Sequence, residues 1–210
     1  FESCVPETRF RLRLTLEATD VHVKRRPGGG ASRPTRAARR TLRSPYPKGM
    51  PRVLITGFDP MPGAPADSSS DAVRILAETW HGEAELVARR LAVNFDEAPR
   101  RLRASIAKHL PDAVIVVASA PGAAELRVER LAVNLDDAEA PDVAGNRPVD
   151  QPVVPGGENA LWTTLPTKDI VAALTQRGLP ARASMSPGSD VPNHVFYAMQ
   201  RELSEWGVPS

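Results

Sequence analysis

The chain has 210 residues, enough for one domain with a sizeable core plus an appendage, and its 41% hydrophobic and 25% charged content is ordinary for a globular protein. The formal charge of +2 conceals an asymmetry: residues 1–49 hold twelve Lys/Arg against four Asp/Glu (+8), and residues 50–210 hold 15 against 21 (−6). The mildly acidic remainder has no electrostatic footprint for nucleic acid, the single cysteine, Cys4, excludes an intrachain disulfide, and no apolar run is long enough to span a membrane. Residues 11–23 alternate apolar and polar rather than forming the block of a secretory signal, so a cytoplasmic setting is expected.

Residues 1–49 read as a basic leader that cannot bury enough apolar area to fold, with a short strand conceivable at Leu12, Leu14 and Leu16. Met50 stands directly before the first convincing strand and is taken as the natural start, which would make 1–49 an over-extension. Residues 50–210 are then the folded domain. Residues 52–56 form a short β-branched run ended by Gly57, as in a buried parallel strand. Asp67 or Ser68 caps a helix through Trp80 that buries Ala72, Ile75, Leu76 and Thr79. A second strand is expected over 85–93. A helix over 95–110 follows, with Ala98, Leu102, Ile106 and Leu110 inward and Arg100, Arg101 and Arg103 outward.

Residues 113–117 read as the central strand. Residues 125–136 alternate like one further strand, and 139–163 form a long Pro/Gly-rich loop. A helix opens at Leu165-Pro166, with Ile170, Val171 and Leu174 inward, and closes at Gly178 and Pro180. The last strand is 181–185. The last helix is 192–206, with Val195, Phe196, Met199 and Leu203 on one face. Strands alternating with helices predict an α/β fold in which helices cover both faces of a mostly parallel central sheet, three layers in all.

Few chemical motifs are present. The four histidines lack metal-like spacing, and neither a P-loop, a dinucleotide fingerprint nor a G-x-S-x-G elbow occurs. No cofactor is expected. Residues 118–134, A-S-A-P-G-A-A-E-L-R-V-E-R-L-A-V-N, resemble the glutamate signature of pyroglutamyl peptidase I (pyrrolidone-carboxylate peptidase), a cytoplasmic cysteine peptidase family. V-L-I-T-G-F-D-P at 53–60, Pro141-Asp142, Gly145-Asn146 and Thr164-Leu165-Pro166 extend the resemblance from about Met50 to the end of the chain.

That resemblance implies a Cys–His–Glu/Asp site that removes an N-terminal pyroglutamyl residue from a peptide, and self-association, which is common in the family. By position, Glu129 matches the acidic residue that orients the histidine, and Phe58 an aromatic that packs on the pyrrolidone ring. Read without the family, Glu129 pairs with a neighbouring cation and Phe58 is core. The nucleophilic cysteine falls on Pro192, which fits a first helical turn but cannot attack an amide. The family's histidine lies on a strand after the last helix, which a chain stopping at Ser210 lacks, so a C-terminal truncation is expected. His194 is expected to face solvent or core. Met61 and Ser119 replace pocket residues, and Glu139 stands where the family has arginine. The expectation is a pseudoenzyme, the alternatives being a hydrolase using Ser184, Ser186 or Ser189, and nucleic-acid binding through the basic tail.

Overall fold

The computed structural model describes residues 50–206, 208 and 210; the leader, its conceivable strand and Cys4 lie outside the described residues. Pro51–Ser210 forms one compact unit. In order, the chain forms β1 (Arg52–Phe58), α1 (Ser68–Thr79), β2 (Glu85–Leu91), α2 (Glu97–His109), β3 (Ala113–Val116), β4 (Leu126–Glu129) and β5 (Leu131–Val133). There follow β6 (Ala160–Trp162), α3 (Thr167–Gln176), β7 (Ala181–Ser184) and α4 (Val191–Trp206). The fold is α/β, as expected.

β1 is buried at every position because parallel strands flank it on both sides, in the order β2-β1-β3. Leu54 faces Val87 on one neighbour and Val114 on the other. The strand alternation then sorts two cores. Leu54, Phe58, Val87, Leu91 and Val114 pack with Leu102 and Ile106 of α2 and with Val195, Met199 and Leu203 of α4. Ile55 packs on the opposite face with Val73 and Leu76 of α1. Helices therefore cover both faces of this sheet. Arg52, only 4% exposed, ties its start together: it pairs with Glu85 at 2.6 Å, donates to the His109 carbonyl at 2.5 Å, and sends its own amide N–H to Asp112 at 2.7 Å.

Four expectations need correcting. In α1, the inward residues are Ser69, Ser70, Val73 and Leu76, whereas Ala72, Ile75 and Thr79 are exposed. Gly57 is the reason: a Cβ there would come within 2.6 Å of the Ser69 carbonyl oxygen, so the helix sits close on β1 and small polar residues fill the contact. Counting apolar residues alone picks the wrong face. The strand read as central, β3, is an edge of its sheet, and β1 is the centre.

The single strand expected over 125–136 is two strands with different partners. β4 pairs with β7 in parallel, and β5 with β6 antiparallel. The break is at Arg130, whose N–H donates to Ser184 O (2.8 Å) while its carbonyl accepts from Thr163 N (3.0 Å). The long loop therefore ends in β6, and it is also stapled at Asp136, which exchanges backbone hydrogen bonds of 2.7 and 3.0 Å with Gln151.

Candidate active site

Parallel pairing of β4 with β7 places Glu129 opposite Ser184 at the carboxyl ends of both strands, where α/β proteins collect ligands. The chain then turns through Pro187 and Gly188, the latter at φ +79°, a left-handed conformation that glycine adopts without steric cost. Within this turn the Ser186 amide N–H points at both Glu129 Oε2 (3.1 Å) and Ser184 Oγ (3.2 Å). Ser189 Oγ donates to the Asp137 carbonyl at 2.7 Å, and the Asp137 N–H returns to the Ser189 carbonyl at 3.1 Å. Helix α4 starts where the Asp190 carbonyl accepts from His194 N at 3.0 Å.

Pro192 is the second residue of α4 and half-buried. An N–H there would have no intrahelical acceptor, so proline costs the helix nothing. Beside it, Asn193 is 1% exposed and docks the helix onto β5. Its Oδ1 accepts from Val133 N (2.9 Å), and its Nδ2 donates to the carbonyls of Val133 and Leu135 (3.0 Å each).

The charge at this corner is negative. Burial pushes the Asp190 carboxyl up from its ordinary range, and the carboxylates of Glu139 and Asp137 push it the same way against a backbone hydrogen bond from Glu139. A helix amino terminus ordinarily favours an anion. Here three acidic side chains compete for that field.

Glu129 is thus brought to Ser184 and Ser186, in the turn that leads into α4. Ser184 is 1% exposed, and among the described residues none of Ser184, Ser186 and Ser189 is hydrogen-bonded to a histidine. Ser119 belongs to another group: its Oγ donates to Asp67 Oδ2 and meets Ser68 Oγ, both at 2.8 Å, at the start of α1. Met61 is half-buried in the loop after β1. Phe58 is 3% exposed, with its ring in the core and its N–H on Ser69 Oγ at 2.9 Å. Of the two sequence readings of Phe58, packing describes where the ring lies.

His194 stands between the two expected positions, partly buried at the edge of the core. Its Nδ1 lies 2.7 Å from Asp136 Oδ2, and its ring meets Phe95 edge-on at 5.5 Å. The side chains of His194 and Asp136 are 16% and 8% exposed. Asp142, read in the sequence only as a motif position, accepts from Asn94 Nδ2, the amides of Phe95, Ala144 and Asn146, and Asn146 Nδ2, all within 3.1 Å. Among the described residues no group of three or more His, Cys, Asp or Glu is placed to hold a metal, and no helix is long and apolar enough to cross a membrane.

The sequence model of the pyroglutamyl peptidase family matches residues 51–210. The chain belongs to the pyroglutamyl peptidase family. It is 45% identical over 156 residues to the pyrrolidone-carboxylate peptidase of Clavibacter michiganensis subsp. michiganensis, covering 74% of this chain and 73% of that protein. To the pyrrolidone-carboxylate peptidase of Bacillus amyloliquefaciens it is 40% identical over 153 residues, 73% of this chain and 71% of the relative. The crystal structure of Bacillus amyloliquefaciens pyroglutamyl peptidase I superposes with a TM-score of 0.71 at 39% identity, over 73% of this chain and 75% of that one. A mutant pyrrolidone carboxyl peptidase from Pyrococcus furiosus gives 0.71 at 36% identity, over 75% and 76%. The pyroglutamyl peptidase family is a hydrolase family of cysteine type, so the resemblance read from residues 53–60 and 118–134 is confirmed.

Proposed function

We propose that this chain keeps the ligand-binding scaffold of a pyroglutamyl peptidase without thiol-dependent hydrolysis, and that it serves as a binding protein for a pyroglutamyl peptide or a related small ligand. The observation that carries this reading is Pro192. It occupies the helix-start position to which the resemblance assigns the nucleophile, and residues 50–210 contain no cysteine at all. A cysteine peptidase needs a thiolate to attack the amide carbonyl. The acidic trio of Asp137, Glu139 and Asp190 supports the same reading, because it opposes both a thiolate and the oxyanion that follows it. In this reading Glu129 survives as a polar anchor for the turn into α4. Serine-based hydrolysis has weaker support, since none of the three serines has a base beside it.

The test uses the full purified chain and a fluorogenic pyroglutamyl amide. No amine release above the blank is expected, together with saturable heat on titrating a pyroglutamyl peptide in a calorimeter. Turnover abolished by Glu129→Gln would overturn the loss of activity; a titration without saturable heat would overturn the binding role. Tail-mediated nucleic-acid binding predicts a salt-sensitive affinity that vanishes on deleting 1–49.

A further inference from the structure

Away from Glu129, residues of the 95–100 and 146–153 segments line an open cleft of about 930 Å³, to which the His194–Asp136 pair also contributes. Its walls are fixed before any ligand arrives. Asp142 binds the Asn94–Phe95 segment and Asn146 with one carboxylate, and the backbone pairing of Asp136 with Gln151 secures the other side. A site whose walls are held in this way loses little entropy on binding.

Three groups on its lining have unused hydrogen-bonding capacity. Arg100 and Arg147 are each anchored through Nε only, to the carbonyls of Asp96 (2.8 Å) and Ala138 (3.2 Å). Among the described residues the terminal nitrogens of both guanidinium groups have no partner. Two such forks on one cleft suit a carboxylate. The third is His194. With the Asp136 carboxylate accepting from Nδ1, the unprotonated ring offers Nε2 as an acceptor; His194 lines the cleft, and among the described residues no hydrogen bond engages that atom. Asp136 is itself buried, and its Oδ1 has no hydrogen-bond partner among the described residues. Asp96 and Asp136 balance the two arginines, which favours a ligand of single negative charge over a phosphate or a polyanion.

We infer that this cleft binds a small monocarboxylic acid that also carries a hydroxyl or amide N–H: Arg100 and Arg147 take the carboxylate, and Nε2 of His194 accepts from the donor. The site does not depend on the chemistry at Pro192.

The experiment titrates the full chain with 3- and 4-hydroxybenzoate, and with benzoate as the analogue lacking the donor, by calorimetry and by following the His194 imidazole resonances. At least one hydroxybenzoate is expected to bind saturably and to move the His194 signal. Benzoate is expected to bind about fivefold more weakly, and Arg147→Gln or Arg100→Gln to weaken hydroxybenzoate binding by about tenfold. Both arginines are exposed, so the variants should fold. Absence of saturable binding to the parent chain overturns the proposal. So does binding that neither arginine variant weakens, and equal affinity for benzoate and the hydroxybenzoates removes His194 from it.

Discussion

Asn193 and Val133 are joined as two strands would be: the side-chain amide of Asn193 accepts from the Val133 N–H and donates to its carbonyl, at 2.9 and 3.0 Å. A third bond reaches Leu135 O. The start of α4, and with it Pro192, is therefore positioned by β5. Truncation by Asn193→Ala removes three hydrogen bonds worth about 1 kcal/mol each and strands a backbone N–H. The expected loss is about 3 kcal/mol, read as a lower urea midpoint at an unchanged slope.

Asp142 supports a second junction. Burial works against its charge, but the five hydrogen bonds it accepts, those from Asn146 and the Phe95 amide foremost, outweigh burial and hold the carboxyl below its ordinary range. Asp142→Asn turns one accepting oxygen into a donor facing other donors, at a cost of about 3 kcal/mol. Because the folded value is lowered, the charge contributes stability above the ordinary aspartate range, and that contribution is lost as the pH falls through it. The variant should show a shallower loss of stability on acidification below about pH 4. Chemical denaturation at several pH values measures both effects.

His109 predicts a milder dependence near neutrality. Burial, then the Arg89 cation 2.7 Å from its Nε2, holds the imidazole below the ordinary histidine value. The unfolded chain therefore takes up this proton first as pH drops below about 6.5. Stability attributable to His109 is complete above that value and declines as the solution acidifies toward the folded value. His109→Gln, whose carbonyl can still accept from Arg89, should reduce the fall in urea midpoint between pH 7.5 and pH 5.5. An unchanged fall would assign the dependence to other groups.

Gly57 tests the close seating of α1 on β1. A methyl at this position would collide with the backbone of Ser69 and Ser70, at 2.6 to 2.8 Å, and backbone cannot rotate away. Gly57→Ala should cost about 2 kcal/mol through overpacking, whereas Gly145→Ala, with nothing within 4 Å but a φ of +87°, should cost less, about 1 kcal/mol of backbone strain. Thermal melts of the two variants make the comparison.

The electrostatics of the α4 start can be read with an installed thiol. Pro192→Cys creates a thiol in the field of Asp137, Glu139 and Asp190, and carboxylates hold a thiol protonated. Adding Glu139→Arg should speed its alkylation by iodoacetamide at pH 7 several-fold, with the parent chain as the blank for Cys4. Equal rates would show that Glu139 does not act on position 192.

Much of the fold was legible because local patterns and tertiary contacts agree along most of the chain. The apolar runs of β1 and β3, the spacing of Ala98, Leu102 and Ile106, and the Asp67 cap are each signalled by their own residues. The errors arise where partners distant in sequence decide. The helix face of α1 follows from a glycine on another element, and the break at Arg130 follows from hydrogen bonds to Ser184 and Thr163. In the candidate site, Glu129 and Pro192 were visible through the family motif. Asn193 and Asp136 act through side-chain partners 58 to 60 positions away, and Asp142 joins its own loop to Asn94 and Phe95, 48 and 47 positions away, links that spacing along the chain does not display.

Arg130 has a mechanical consequence. Its peptide N–H is held by the β7 side and its carbonyl by the segment after β6, while its guanidinium lies 5.2 Å from the centre of the Trp162 ring. A single residue thus works as a rivet through two separate plates of the molecule. Any force that shears β4 against β7, and so displaces Glu129, is passed at that point to β6 and on to α4. Adding or removing one residue between Glu129 and Val133 would misalign both plates at once, so length in this stretch is far less negotiable than side-chain identity.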